Sequence, residues 1–248
     1  AGPGETMHWV DITAGSAVAV GTRNGDTNSM KGTTVMFDTG KLLKVGGAEN
    51  YADGAPAKNN SFIIDINGAY GVAPVITSGG NLNFSRTMHN STVLPNGDVL
   101  ATGGLDNAAT FNDYGARLTA EIFTEGLGWR NVAGMAVPRT YHSVSILLPD
   151  GRVFAGGGGL CLGCFNHYDA EIYSPPYLFE SDGSYAERPF INAPETANYN
   201  TTINVTGSAG ITEMSLIRFS AATHSTNNEQ RRIPITTLID NGSNYDIT

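Results

Sequence analysis

Apolar residues in this chain come in short runs, and no stretch keeps the 3.6-residue period of an amphipathic helix. Runs such as 143–148 and 152–155 are rich in β-formers and flank Pro149-Asp150-Gly151, which has the chemistry of a tight turn. A hairpin is predicted there. Tyr141 and His142 stand just before its first strand, where side chains leave the packed sheet and can converge on a site. A phenol beside an imidazole offers one oxygen and one nitrogen donor, a set that suits copper or iron. For the isolated pair, a packing tyrosine and a histidine at a strand end is the simpler account.

The same pattern recurs along the chain. Its first copy takes in residues 34–38, a turn at Gly40, residues 42–47 and residues 62–65. The second runs from Arg86 through Pro95-Asn96-Gly97 and Gly103-Gly104 to residues 120–123, and the third from Arg139 through the hairpin to residues 170–173. Double glycines begin at Gly46, Gly103 and Gly156, 57 and 53 residues apart, close to the ~50 of kelch units. Each copy predicts a four-stranded blade of a β-propeller, with Gly-Gly ending the second strand near the central channel. Aligned on their arginines, Arg86-Thr87-Met88-His89 and Arg139-Thr140-Tyr141-His142 set Met88 against Tyr141 and His89 against His142. His89 then reads as a structural repeat position, and Tyr141 as a departure from the repeat.

Past Pro175-Pro176 the double glycines stop. Short alternating runs over 202–205, 213–219 and 232–234, leading into Ile235, predict a second, sandwich-type domain. The predicted organisation is all-β: about three propeller blades over 1–179, then part of an immunoglobulin-like sandwich over 180–248. His224, within Ala221-Ala222-Thr223-His224, is expected on a loop between strands. Known propellers close with about four to eight blades, so the chain is expected to be a fragment, open at both ends.

Composition narrows the partners. Of 248 residues, 31 are glycine and only 15% are charged, as many short strands and tight turns require. A net charge of −9 and a pI near 4.9 argue against nucleic acid or an anionic membrane as partner. No stretch approaches the ~20 apolar residues of a membrane span, and the first ten residues lack a basic region and a signal-like apolar core. Six Asn-x-Ser/Thr triplets, at Asn59, Asn83, Asn90, Asn200, Asn204 and Asn241, lean towards a secreted, extracellular setting.

The blocks RTYHS, LLPDGRVF, GGGGLCxxC and NHYDAEIYSPPYL, followed by RFSAATHSTNNEQRRIPI, resemble the C-terminal half of the galactose oxidase family. These are fungal copper radical alcohol oxidases with a seven-bladed kelch propeller and an immunoglobulin-like C-terminal domain. The resemblance covers nearly the whole chain and is densest over 139–178 and 218–235. It implies that Tyr141, His142 and His224 bind copper, with Tyr141 the axial ligand and the base that takes the alcohol proton. The remaining protein ligand of the family, a tyrosine cross-linked to a cysteine that acts as the radical cofactor, belongs to the upstream half, as does the tryptophan stacked on it. Implied partners are a primary alcohol and O2, with an aldehyde and hydrogen peroxide as products and a monomer as the assembly.

The resemblance also matches Tyr51 and Phe111 to aromatics of the substrate cavity. The residue after Tyr51 is a glutamine that contacts the sugar in the galactose-specific member; here it is Ala52. An ordinary hydrogen bond contributes roughly 0.5–1.5 kcal/mol, so a primary alcohol less polar than galactose is expected. Cys161 and Cys164 match the family's CxxC disulfide. Taken alone, CxxC also fits a thioredoxin-like pair or half a zinc site, but no βαβ pattern, second CxxC or HxxxH accompanies it. His8 and His167 read as structural, and Asp169 and Glu171 as repeat residues akin to Glu121. The rivals are a glyoxal oxidase-like aldehyde oxidase and a kelch propeller that only binds, since fold alone does not confer chemistry.

Overall fold

The structure is a computed structural model that describes residues 3–159, 163, 165–224 and 226–248, and among them there is no α-helix. A hairpin of β1 (Thr6–Asp11) and β2 (Ser16–Thr22), which the sequence pattern did not announce, leads into three meandering antiparallel sheets. The first holds β3 (Thr33–Asp38), β4 (Lys41–Val45), β5 (Asn60–Asp65) and β6 (Val75–Asn81). The second holds β7 (Thr87–Val93), β8 (Val99–Leu105), β9 (Glu121–Thr124) and β10 (Gly128–Asn131). The third holds β11 (Ser143–Leu147), β12 (Val153–Gly157) and β13 (Ala170–Tyr173), three strands among the described residues.

The first strands of successive sheets lie side by side through polar contacts. Thr33 Oγ1 meets Ser91 Oγ at 2.6 Å and His89 Nε2 at 3.0 Å, and Asn90 Nδ2 donates to Ser143 Oγ at 2.8 Å. Apolar side chains fill the space between sheets: Val35, Phe37, Leu43 and Phe123 between the first and second, Leu100, Ile122 and Val153 between the second and third. Sheets stacked in this way, each beginning with a polar inner strand, have the arrangement expected of consecutive propeller blades.

Two arginines bind each blade to its neighbour. Arg86 is fully buried and donates to Glu121 Oε2 through Nε at 3.1 Å and Nη2 at 2.7 Å, and through Nη1 to Gly103 O at 2.7 Å. Arg139 repeats this with Gly157 O at 3.1 Å, Asp169 Oδ1 at 3.0 Å and Glu171 Oε2 at 3.4 Å. Asp169 and Glu171 are therefore partners of Arg139, in line with their reading as repeat residues. The arginine carbonyls face the preceding blade, where Gly47 N donates to Arg86 O and Gly104 N to Arg139 O, both at 2.8 Å. A Cβ on Gly103, whose φ is +69°, would sit 2.0 Å from Arg139 O. The double glycine is thus the surface on which the next blade lands.

Strand register corrects the alignment of the repeats. His89 pairs with Gly103 in the second blade, and Ser143 pairs with Gly157 in the third. The counterpart of His142 is therefore Met88, and that of Ser143 is His89. Lys31, Met88 and His142 all have positive φ, at 59°, 51° and 67°, and each stands at or near the start of its blade's inner strand. Since Arg86 and Arg139 keep equivalent partners, the third blade carries one extra residue between its arginine and its inner strand. An alignment on identical letters could not see that insertion.

The remaining strands are β14 (Ile191–Asn192), β15 (Ile203–Gly207), β16 (Ser215–Ile217), β17 (Ala222–Thr223), β18 (Thr226–Asn227), β19 (Arg232–Pro234), β20 (Leu238–Asp240) and β21 (Asn244–Ile247). They form a sheet in the order β14-β15-β21-β20 and two-stranded pairs β16-β19 and β17-β18. Val205, Tyr245 and Ile247 make their core. This part docks on the blades through polar groups. The Gln230 side-chain amide, 3% exposed, accepts from Val93 N at 2.9 Å and donates to Val93 O at 3.0 Å. Ser215 Oγ and Arg232 Nε both donate to Pro95 O, at 3.0 and 2.8 Å.

Two stability predictions come from these buried polar groups. Glu121→Ala should cost about 3–5 kcal/mol, because it strands a guanidinium that has no water to turn to. Glu125→Ala, which removes the half-exposed partner of Lys41, should change stability by less than about 1 kcal/mol. Urea unfolding of both variants tests the contrast, and equal losses would refute it. His89 is fully buried, and burial, aided by Arg86 and Lys44, pulls it down to about 3. An unfolded histidine titrates near ~6.5, so between these values the unfolded chain binds the extra proton and stability falls as pH drops. Urea midpoints should decline from pH 7 to pH 4, less steeply in His89→Asn; parallel slopes would place the acid sensitivity elsewhere.

Candidate metal centre

The extra residue of the third blade is absorbed in a turn. Ser143 N donates to Thr140 O at 3.0 Å, with Tyr141 and His142 at the two central positions. The second central residue, His142, has the positive φ that a type II turn requires there. His142 Nδ1 lies 2.5 Å from Gly159 O. A carbonyl can only accept, so Nδ1 carries the proton and Nε2 is the ring nitrogen open to a metal. Gly159 N also donates to Tyr141 O at 2.7 Å. A side chain at Gly159 would put its Cβ 1.9 Å from Phe165 O, which explains the end of the glycine run.

His224 comes from the other part of the chain. It follows Thr223 in the turn between β17 and β18, where Thr223 pairs with Thr226. Its φ of +50° is what both primed hairpin turns demand of their first central residue. His224 Nδ1 is 2.7 Å from Thr223 Oγ1, which leaves Nε2 for a ligand. The hairpin seats against the inner strands β3, β7 and β11.

These two segments bring three rings together. The Tyr141 and His142 centroids are 4.0 Å apart, His142 and His224 5.0 Å at 75°, and Tyr141 and His224 5.6 Å. Phe111 stands edge-on to Tyr141 at 5.0 Å and 5.7 Å from His142. Phe111 too has positive φ, at 59°. Three of the four rings therefore hang on left-handed non-glycine backbone, a sparsely populated conformation that clusters at functional sites. Two imidazole nitrogens and a phenol oxygen form a donor set that fits copper. No group of three or more His, Cys, Asp or Glu side chains suited to a metal occurs among the described residues.

Tyr51 lies apart from this cluster. It is 59% exposed, with Lys31 Nζ 5.8 Å from its ring centre, and it shares a cavity of 360 Å³ with Lys31, Thr33, Thr226 and His224. Cys161 and Cys164 lie outside the described residues. His8 pairs within the β1–β2 hairpin opposite Ala19, whereas His167 Nε2 is hydrogen-bonded to Asp113 Oδ2 at 2.8 Å. Sequence reasoning passed over Gln230 and Asn227, which place the His224 hairpin: Asn227 Nδ2 donates to Gln230 Oε1 at 2.9 Å. Both sit in a polar run that reads as an ordinary loop until its buried partners are known.

Residues 188–248 match the family described as "Galactose oxidase-like, Early set domain". A galactose oxidase of Gibberella zeae is 39% identical over 99% of this chain and 38% of its own length. An aldehyde oxidase of Arabidopsis thaliana is 34% identical over 38% of this chain and 17% of its own. A solved structure described as a novel fungal alcohol oxidase with catalytic diversity among the AA5 family, in complex with copper, superposes with a TM-score of 0.94 at 34% identity, covering 100% of this chain and 53% of that one. The chain thus spans little more than a third of the length of the galactose oxidase it matches. With its sequence shared with galactose oxidase almost end to end and its backbone with a copper alcohol oxidase, this chain belongs to the galactose oxidase-like family.

Proposed function

We propose that this chain supplies Tyr141, His142 and His224 as ligands to a copper ion in a radical oxidase that turns a primary alcohol and O2 into an aldehyde and hydrogen peroxide. The carrying observation is the meeting of those three rings from two segments far apart in the sequence. Bound copper would supply Lewis acidity towards the alcohol oxygen and accept one electron, while the cross-linked tyrosine expected from the upstream half accepts the other. The residues present here hold and orient. Gly159 O keeps the proton on His142 Nδ1, and Thr223 Oγ1 fixes the rotation of His224. Tyr141 Oη is the group that takes the alcohol proton, a role that phenolate oxygen can fill once its own proton is lost. Phe111 packs at right angles to Tyr141 and borders the site.

Tyr51 and Phe111 are assigned to the substrate cavity, and Ala52 favours an alcohol less polar than galactose. Similarity to the Arabidopsis aldehyde oxidase supports a second reading, oxidation of an aldehyde at the same site. The sequons and the resemblance support an extracellular location, and the family's CxxC pattern supports a disulfide between Cys161 and Cys164. Five of the six sequons are exposed, but Asn90 is buried against Ser143 Oγ and is excluded as a glycan site.

Two outcomes test the assignment on the full-length protein. His224→Ala should bind markedly less copper than wild type while its far-ultraviolet circular dichroism is unchanged; full copper occupancy would remove His224 from the ligand set. Tyr141→Phe should keep copper, because only a hydroxyl is lost, while peroxide production from a primary alcohol falls by about 10²–10⁴, the usual contribution of general base catalysis. Near-normal turnover would sink the base role. Peroxide from glyoxal but not from alcohols would favour the aldehyde reading, and absence of copper in wild type would favour a binding module.

A further inference from the structure

We propose that Asp113 and His167 form a clamp that sets the orientation of Tyr141 and His142, as positioning residues rather than ligands. This rests in part on the copper reading above, but its geometry stands without it. His167 Nε2 lies 2.8 Å from Asp113 Oδ2, and both side chains are largely shielded, at 17% and 20% exposure. The two come from different connections: Asp113 from the segment joining β8 to β9, His167 from the segment joining β12 to β13.

Each end of the clamp leads to the ring cluster by a short path. On one side, Asp113 is two residues from Phe111, whose ring stands edge-on to Tyr141. On the other, His167 N donates to Gly158 O at 3.1 Å, and the His167 ring packs so closely that a Cβ on Gly158 would meet its Cδ2 at 3.3 Å. The next residue, Gly159, holds the Tyr141 carbonyl through its N–H and the His142 imidazole through its oxygen. The path Phe111–Asp113–His167–Gly158–Gly159 closes on Tyr141 and His142. Asp113 Oδ1 is buried without a hydrogen-bond partner among the described residues, so this carboxylate is spent on His167. Tyr114 and Phe165 also join the two segments, at 6.0 Å, but at 75% and 50% exposure they constrain little.

The consequence is mechanical. His142 and Phe111 both occupy left-handed backbone, which persists only where surroundings over-determine it. Removing the clamp frees two segments at once, and the imidazole loses the fixed carbonyl that sets its tautomer. Groups that orient a ligand in this way typically contribute 10–100-fold to metal affinity or activity.

The test uses the full-length protein, with and without copper. His167→Ala and Asp113→Ala should each weaken copper binding by about 10–100-fold and alter the Cu(II) paramagnetic resonance spectrum. Amide exchange in peptides spanning 140–143 and 158–159 should rise, with β7 and β8 unaffected. His167→Gln, which returns an N–H donor within reach of Asp113, should restore copper affinity and exchange protection. The double variant should be no worse than either single one. Unchanged exchange and copper affinity in His167→Ala would overturn the clamp, as would equal impairment by Gln and Ala or exchange that rises throughout the chain. If wild type binds no copper, the copper reading fails by itself, and the exchange comparison alone decides the clamp.

Discussion

Burying a guanidinium is costly unless a carboxylate and well-placed carbonyls replace its water, and this chain meets that need at two equivalent positions, through Nε as well at Arg86 and through the terminal nitrogens alone at Arg139 among the described residues. Arg86 and Arg139 each lie at the boundary between blades, with the side chain committed to the blade's own glutamate and glycine carbonyl. Their backbone carbonyls are committed to the double glycine of the blade before. An arginine held at both ends leaves little freedom in how far apart neighbouring sheets sit. The glycines permit the approach, since any side chain on Gly103 would collide with Arg139 O.

That constraint generates the site. Arg139 is pinned, and so is the pairing of Ser143 with Gly157. One surplus residue lies between them, and it cannot be spread along the chain. It is taken up as a turn that lifts Tyr141 and His142 off the sheet and turns His142 into left-handed backbone. The second blade has no surplus residue, and its counterpart of His142, Met88, is 1% exposed and packed away. A single insertion thus separates the blade that buries its residue at this place from the one that presents Tyr141 and His142 to the ring cluster.

The third ring is a matter of docking. The His224 hairpin has only two short strands and no apolar core of its own, so polar contacts with the blades must place it. Gln230 completes the backbone hydrogen bonding of Val93 as a strand would, and Asn227 braces Gln230 in turn. A side chain carried on such a hairpin is fixed by direction-dependent bonds, which set its position more sharply than apolar packing, where small slips cost little.

The sequence by itself determined the repeated blades and the change of texture after Pro175-Pro176, and it offered Tyr141 and His142 as a pair of donors, to which resemblance added His224. Those features are local: strand periodicity, turn chemistry and motif blocks all lie within a few residues of one another. Phe111 and Tyr51 were legible only through resemblance, and the structure sets Phe111 in the ring cluster and Tyr51 on the cavity beside it. What the tertiary structure alone decided was register and partnership. Matching letters aligned Met88 with Tyr141, whereas hydrogen-bond pairing aligned it with His142. Gln230, Asn227, Asp113 and His167 look like surface residues in a string of letters, because a polar side chain's role depends on what lies opposite when it is buried. For Gln230, Asp113 and His167 that partner is distant in the chain, and for Asn227 it is Gln230 itself, so only folding brings these groups within the ~3 Å at which a hydrogen bond acts.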